Sequence, residues 1–181
     1  ISAGVCTGLG VAPQKIRDVI GVTKAYCTRV GSGPFPTELN DSTGEELRKI
    51  GNEFGATTGR PRRCGWIDLV ALNYACMING VTKIVMTKAD VLDAFEDLKV
   101  CTSYTINGES SKEIPFQMMR VAIVPELQGF TGWKTDISGI KSAKDLPEAA
   151  QKYITFIDQY LGVKISWISN GPGRDQLIEI I

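Results

Sequence analysis

The sequence predicts an α/β fold: a mostly parallel central sheet with flanking helices and a small antiparallel arm. Three observations carry this. Strand-period and helix-period segments alternate along the chain. The loops richest in Gly, Thr and charge follow the strand segments, where an open α/β sheet places its ligand loops. An apolar content of 43% over 181 residues supplies a core and excludes global disorder. One integrated lobe over residues 1–181 is expected, with no repeats and no linker.

The elements follow in order. Residues 1–12 mix small residues with glycine. Pro13 opens an expected helix with Ile16, Val19 and Ile20 on its apolar face and Gly21 as its stop. VTKAYCTRV at 22–30 is β-branched and reads as one strand. GSGPFPT at 31–37 is a turn-rich loop. Thr43 and Glu46 have capping-box spacing before a short helix that buries Leu47 and Ile50 and ends at Gly51. NEFGATTGRPRR at 52–63 has no period. From Trp66 to Ile78 a helical stripe returns through Ile67, Val70, Ala71, Tyr74 and Ile78, closed by Asn79-Gly80. Asp68 is there a first-turn helix group rather than a catalytic base.

Lys83–Met86 is a strand, and Thr87–Asp90 is its end loop, with Asp90 placed to cap a short helix through Asp97. LKVCTSYTI at 98–106 is a strand that turns at Asn107-Gly108 into a polar hairpin arm at 109–113. RVAIVPEL holds a short strand that stops before Pro125, and GFTGWKTDISG is irregular. Pro147 opens the best helix, with Ala150, Tyr153, Ile154, Ile157 and Leu161 on one face and Gly162 as terminator. KISWIS at 164–169 is a strand followed by the glycine-rich turn NGPGRD.

Composition removes several functions. Lys plus Arg equals Asp plus Glu at 20 each, which disfavours a nucleic-acid binder. No apolar run approaches the ~20 residues of a membrane span. There is no histidine, so Ser–His and Cys–His nucleophile systems and imidazole metal ligands are excluded from this chain. Five cysteines without a CxxC pair read as buried thiols in a reducing, cytoplasmic compartment. The chain opens on Ile-Ser-Ala-Gly without an initiating methionine and reads as a piece of a longer protein.

Three loops carry candidate chemistry. Thr87-Lys88-Ala89-Asp90 ends a strand. A carboxylate there can accept from guanine N1–H and its exocyclic amine, a donor pair adenine lacks, while the Lys88 stem lies along the base. The alternative is an ordinary helix cap. Ser169-Asn170-Gly171-Pro172-Gly173-Arg174 either edges a base or phosphate with its amides or is a tight turn. GATTGRPRR at 55–63 brings three arginines into four positions, which suits either a bound polyanion or a solvated charge run. Gly8-Leu-Gly10 lacks the lysine and hydroxyl residue of a phosphate loop.

Taken together, VGSGPFPTEL at 30–39, GNEFGATTGRPRRCGWID at 51–68, TKADVLD at 87–93 and SNGPGRDQ at 169–176 resemble adenylosuccinate synthetase, in order and with plausible intervals. The resemblance spans essentially the whole chain and looks like the C-terminal portion of that family's single domain. It implies a P-loop-NTPase-like fold lacking its N-terminal half. The activity implied for the full-length parent is a GTP-dependent ligase of purine (AMP) biosynthesis. It joins IMP and L-aspartate into adenylosuccinate, GDP and phosphate through a 6-phosphoryl-IMP intermediate.

By the same resemblance, Lys88, Ala89 and Asp90 read guanine, with Ser169, Asn170 and Gly171 on the other edge of the base. Ala56, Thr57, Thr58, Gly59, Arg60, Pro61 and Arg62 form an aspartate-binding loop. In it Thr57 and Thr58 meet the aspartate carboxylates, Arg60 meets aspartate and the IMP ribose, and Arg62 meets aspartate and the GTP phosphates. Val30 contacts the IMP ribose beside Gly31. Pro61 replaces a family arginine and stiffens the clamp. The implied Mg2+ is bound mainly outside this chain, and no metal ligand or catalytic acid or base maps onto it. The implied parent is a cytoplasmic homodimer with no nucleic-acid or membrane partner. The alternative function is a noncatalytic guanine-nucleotide-binding module.

Overall fold

A computed structural model describes residues 1–180. The N-terminal helix α1 (Gly4–Leu9) and the strands β1 (Ile20–Lys24) and β2 (Cys27–Arg29) lead to helix α2 (Ser42–Ile50). Next come β3 (Arg63–Gly65), β4 (Ile67–Asp68), α3 (Leu69–Asn79) and β5 (Lys83–Thr87). Then β6 (Asp97–Ile106), β7 (Glu109–Ser111) and β8 (Ile123–Thr131) follow in sequence. The chain finishes with α4 (Glu148–Leu161), β9 (Ile165–Ser169) and β10 (Leu177–Glu179).

The central sheet has the order β1-β5-β9-β10, parallel across its first three strands and antiparallel at β10. Parallel strands buried by helices need near-continuous apolar runs. Ile84, Met86, Ile165 and Ile168 supply them, and α4 covers them with the expected face of Ala150, Tyr153, Ile154, Ile157 and Leu161. Gly162 ends α4 in the left-handed region at φ 61°. β1 forms one rim of this sheet, with Ile20 and Val22 exposed at 51% and 72%.

A second sheet is built on β6, which pairs parallel with β4 and antiparallel with β7 and β8. It is larger than the hairpin arm expected, because β8 pairs with β6 from Ile123–Ile106 to Thr131–Asp97. β8 runs straight through Pro125. As β8 is an edge strand, the missing proline N–H costs no second ladder. Asn107 and Gly108, at φ 53° and 88°, make the tight turn that the sequence predicted.

Other expectations need correction. The helix expected from Pro13 is one 3-10 turn, Pro13–Lys15; Ile20, Val22 and Thr23 go instead into β1 beside β5. The single strand over 22–30 breaks at the buried Ala25–Tyr26 bend. Asp41, not Thr43, caps α2, accepting from the Gly44 amide at 3.0 Å. The helix expected from Trp66 starts at Leu69, with Asp68 as its cap. Tyr74 and Ile78 of its supposed core stripe are exposed. Asp90 caps nothing: it lies inside the 3-10 turn Ala89–Ala94, whose cap position is Lys88. No described helix is long and apolar enough to cross a membrane.

Candidate functional site

Parallel pairing fixes where the loops emerge. Lys24 pairs with Thr87, and Met86 with Ile168, so β1, β5 and β9 end in a row. The turn from Lys88 to Asp90 and the turn from Ser169 to Gly171 therefore leave neighbouring strands, spaced ~4.8 Å apart. This is the crevice outside the carboxyl ends of the strands, where open α/β sheets bind ligands.

Lys88 holds a left-handed backbone at φ 60°, uncommon for a side chain-bearing residue and maintained only where the surroundings fix it. Its Nζ donates to the Gly51 carbonyl at 2.5 Å. Asp90 Oδ1 is buried without a hydrogen-bond partner. Burial pushes the Asp90 carboxyl above its ordinary range, only partly opposed by a backbone hydrogen bond and the Lys88 charge. A buried acceptor with nothing to accept is costly unless a ligand donates to it.

Across the crevice, Ser169 Oγ donates to the Gly171 carbonyl at 2.9 Å. Asn170 is fully buried and its Nδ2 donates to the carbonyls of Ile137 and Ile140 at 2.5 and 2.9 Å. Asn170 thus pins the segment 137–140, while its Oδ1 also lacks a partner. Asp93 anchors the same segment from the other side, accepting from Trp133 Nε1 and the Ile137 amide at 2.5 and 3.0 Å.

The arginine loop is a short hairpin. Gly55 N donates to Arg60 O at 2.9 Å, Gly59 N donates to Gly55 O at 2.8 Å, and Gly59 takes φ 64° at the tip. Ala56, Thr57, Thr58, Gly59, Arg60 and Pro61 are all exposed. Thr58 Oγ1 only accepts from the Arg60 amide, and the Arg60 guanidinium has no protein partner among the described residues. Arg62 differs: its Nη1 meets Glu53 Oε2 at 2.7 Å. Arg63 grips Glu38 through two nitrogens at 2.7 and 2.5 Å and donates to the carbonyls of Gly31 and Gly33. That strap shapes the loop carrying the exposed Val30 and Gly31, the latter at φ 86°.

The sequence model of the adenylosuccinate synthetase family matches residues 1–178. The chain belongs to that family. An adenylosuccinate synthetase of Azobacteroides pseudotrichonymphae genomovar. CFP2 is 56% identical over 98% of this chain and 42% of its own length. That of Salinibacter ruber is 52% identical, over 98% and 40%. The chain thus spans about two fifths of the curated relatives it matches. The solved, fully ligated adenylosuccinate synthetase of Plasmodium falciparum superposes with a TM-score of 0.94 at 42% identity, over 99% of this chain and 43% of that one. A cyanophage succinoaminodeoxyadenylate synthetase, at 15% identity and TM-score 0.55 over 98% and 38%, shares the fold alone.

Within this adenylosuccinate synthetase fold, sequence reasoning missed three residues. Glu53 is fully buried, and Lys24 Nζ and Tyr26 Oη donate to its Oε1 at 2.7 and 2.6 Å. Burial alone would raise the Glu53 carboxyl, but hydrogen bonds from Lys24, Tyr26 and Arg62 hold it down to about 2. The one available signal was a lone glutamate two residues before GATTGR. Asp68, in contrast, is occupied as a structural group: it accepts from Tyr104 Oη at 2.5 Å and from the Ala71 amide at 3.1 Å. Among the described residues, no cluster of three or more His, Cys, Asp or Glu could hold a metal ion.

Proposed function

We propose that this chain is the guanine- and aspartate-binding portion of a GTP-dependent ligase that makes adenylosuccinate from IMP and L-aspartate. The γ-phosphoryl group of GTP passes to the 6-oxygen of IMP, leaving GDP. The aspartate amine then attacks C6, the C6–O bond breaks, and phosphate departs with that oxygen. Activation is needed because an unmodified carbonyl oxygen is a poor leaving group. Mg2+ and fixed cations offset charge on the transferred group. The Mg2+ site and the acid and base are assigned to the part of the full-length enzyme outside this chain.

The buried, unpartnered Asp90 oxygen beside the Ser169 turn is the observation that carries this reading. Guanine N1–H and its exocyclic amine are the donors that this acceptor lacks. Ala89 and Lys88 flank the same base, and Ser169, Asn170 and Gly171 form its other edge. The exposed hydroxyls of Thr57 and Thr58 and the unpaired Arg60 suit the carboxylates of aspartate, with Ala56, Gly59 and Pro61 shaping the loop. Arg62 serves aspartate and the GTP phosphates, and Val30 and Gly31 face the IMP ribose. A balanced net charge fits a protein without a nucleic-acid partner, and free, mostly buried thiols fit a reducing cytoplasm; the homodimer without membrane partners is what family membership suggests for the full-length enzyme.

The test is made in a full-length enzyme carrying this chain. Asp90→Asn is expected to raise KM for GTP about 100-fold, since a site built for a donor pair discriminates strongly once an acceptor is lost. KM for IMP should move less than about threefold by the same logic of localised loss. Equal weakening of GTP and IMP would overturn the assignment. GTP binding with no IMP- or aspartate-dependent turnover would mark a noncatalytic nucleotide module instead.

A further inference from the structure

Glu53 receives more positive charge than it can neutralise. Its carboxylate meets Lys24 Nζ at 2.7 Å, Arg62 Nη1 at 2.7 Å and Lys88 Nζ at 3.3 Å, with Tyr26 Oη as a fourth, neutral donor. The four partners come from four places: the end of β1, the bend after it, the arginine loop and the turn after β5. The backbone joins in. Arg62 N donates to Glu53 O at 2.9 Å, Arg48 Nε donates to Arg62 O at 2.7 Å, and Lys88 Nζ is also held by Gly51 O.

The carboxylate has no exposed surface, whereas the three cationic side chains keep 26%, 32% and 36% of theirs. The anion is therefore at the back and the cations are at the front. One negative charge among three positive ones leaves the cluster positive toward solvent. Long cationic side chains lose much rotational freedom when fixed, so a pre-paid arrangement favours ligand binding. A residue needed only for stability would be satisfied by one good partner; this one ties the arginine loop to the base turn.

We propose that Glu53 is the positioning residue that sets the spacing of Arg62 and Lys88 and holds both in ligand-ready orientations, without itself touching substrate. This rests on the reading of the site given above. Nothing reacts at Glu53, and its carboxylate stays ionised while its oxygens accept from the cations.

The experiment compares Glu53→Gln, Glu53→Asp and the surface control Lys152→Ala in a full-length enzyme carrying this chain. Rates are normalised to folded enzyme. Glu53→Gln keeps the shape but removes the charge. It is expected to raise KM for GTP and KM for aspartate together, each roughly tenfold, the scale of one lost charge-assisted hydrogen bond. KM for IMP should stay within about twofold, because no group of the cluster is assigned to IMP alone.

Glu53→Asp retains the charge one methylene short and is expected to give a smaller rise with the same selectivity. Lys152→Ala, which removes only an exposed surface pair with Glu148 on α4, leaves the cluster intact and should move neither KM more than about twofold. If Glu53→Gln fails to fold, Glu53→Asp decides alone. Unchanged KM values, or an equal change in all three substrates, would overturn the proposal. The Asp90→Asn result is independent of Glu53, so GTP weakening there with no selective effect at Glu53 would sink this inference and leave the functional reading standing.

Discussion

Arg60 and Arg62 are two positions apart yet electrostatically opposite. Arg60 is exposed with no protein partner, so its guanidinium is available to an anion. Arg60→Leu is expected to leave stability within about 0.5 kcal/mol, as at other unpaired surface positions. Aspartate KM should rise and turnover fall in steady-state assays of the full-length enzyme; unchanged aspartate kinetics would remove Arg60 from the site. Glu53 gives the pH prediction. Its folded carboxyl sits at about 2, below the ordinary 4.5, so it contributes stability above pH 4.5. That contribution is lost as pH falls through 2. Denaturant titrations between pH 5 and 2 should show a steeper loss for the native chain than for Glu53→Gln. The loops of Asp90 and the arginines were conspicuous in the sequence because they carry short, residue-specific patterns. Glu53 was not, because one glutamate in an aperiodic loop has no pattern, and its contacts exist only once the end of β1, the arginine loop and the turn after β5 meet.

At the scale of the element, α2 decides how Gly51 and Glu53 are delivered to the site. Two residues competed for its cap. Thr43 and Glu46 had the spacing of a reciprocal cap, but the Asp41 carboxylate takes the Gly44 amide, and Gly44 is pressed against the Leu39 carbonyl with no room for a Cβ. Asp41→Ala is therefore expected to cost about 1 kcal/mol, and Thr43→Ala less than half of that, by chemical denaturation. Helix α4 was readable almost to the residue, since a strong 3.6-residue stripe met a proline at one end and a glycine at the other. Strand β4 was not readable. Its two residues lie inside a helical period, and their extended form comes from pairing with Val100 and Cys101, contacts that no local pattern encodes. The strand expected to stop at Pro125 erred for a related reason: whether proline is tolerated depends on the strand being at an edge, which is a property of the sheet.

Over the whole molecule, the alternation of strands and helices did announce the central sheet, and the loops that follow its strands did gather at one end. The division into three sheets, one of them the two-stranded β2–β3 pair, was hidden. The sheet around β6 depends on partners of two, three and nine residues, β4, β7 and β8, and the longest of these, β8, was read only in part. The rim at β1 has a practical consequence. Its outer backbone groups have no neighbour, and Ile20 and Val22 stand in water beside them. Such a rim invites other chains to stack along it. Purified by itself, the 181-residue polypeptide should scatter more light as it is concentrated, and Val22→Lys should keep it dispersed without lowering its melting temperature. Handling and storage of the isolated lobe will depend on how that apolar border is kept from meeting its own kind.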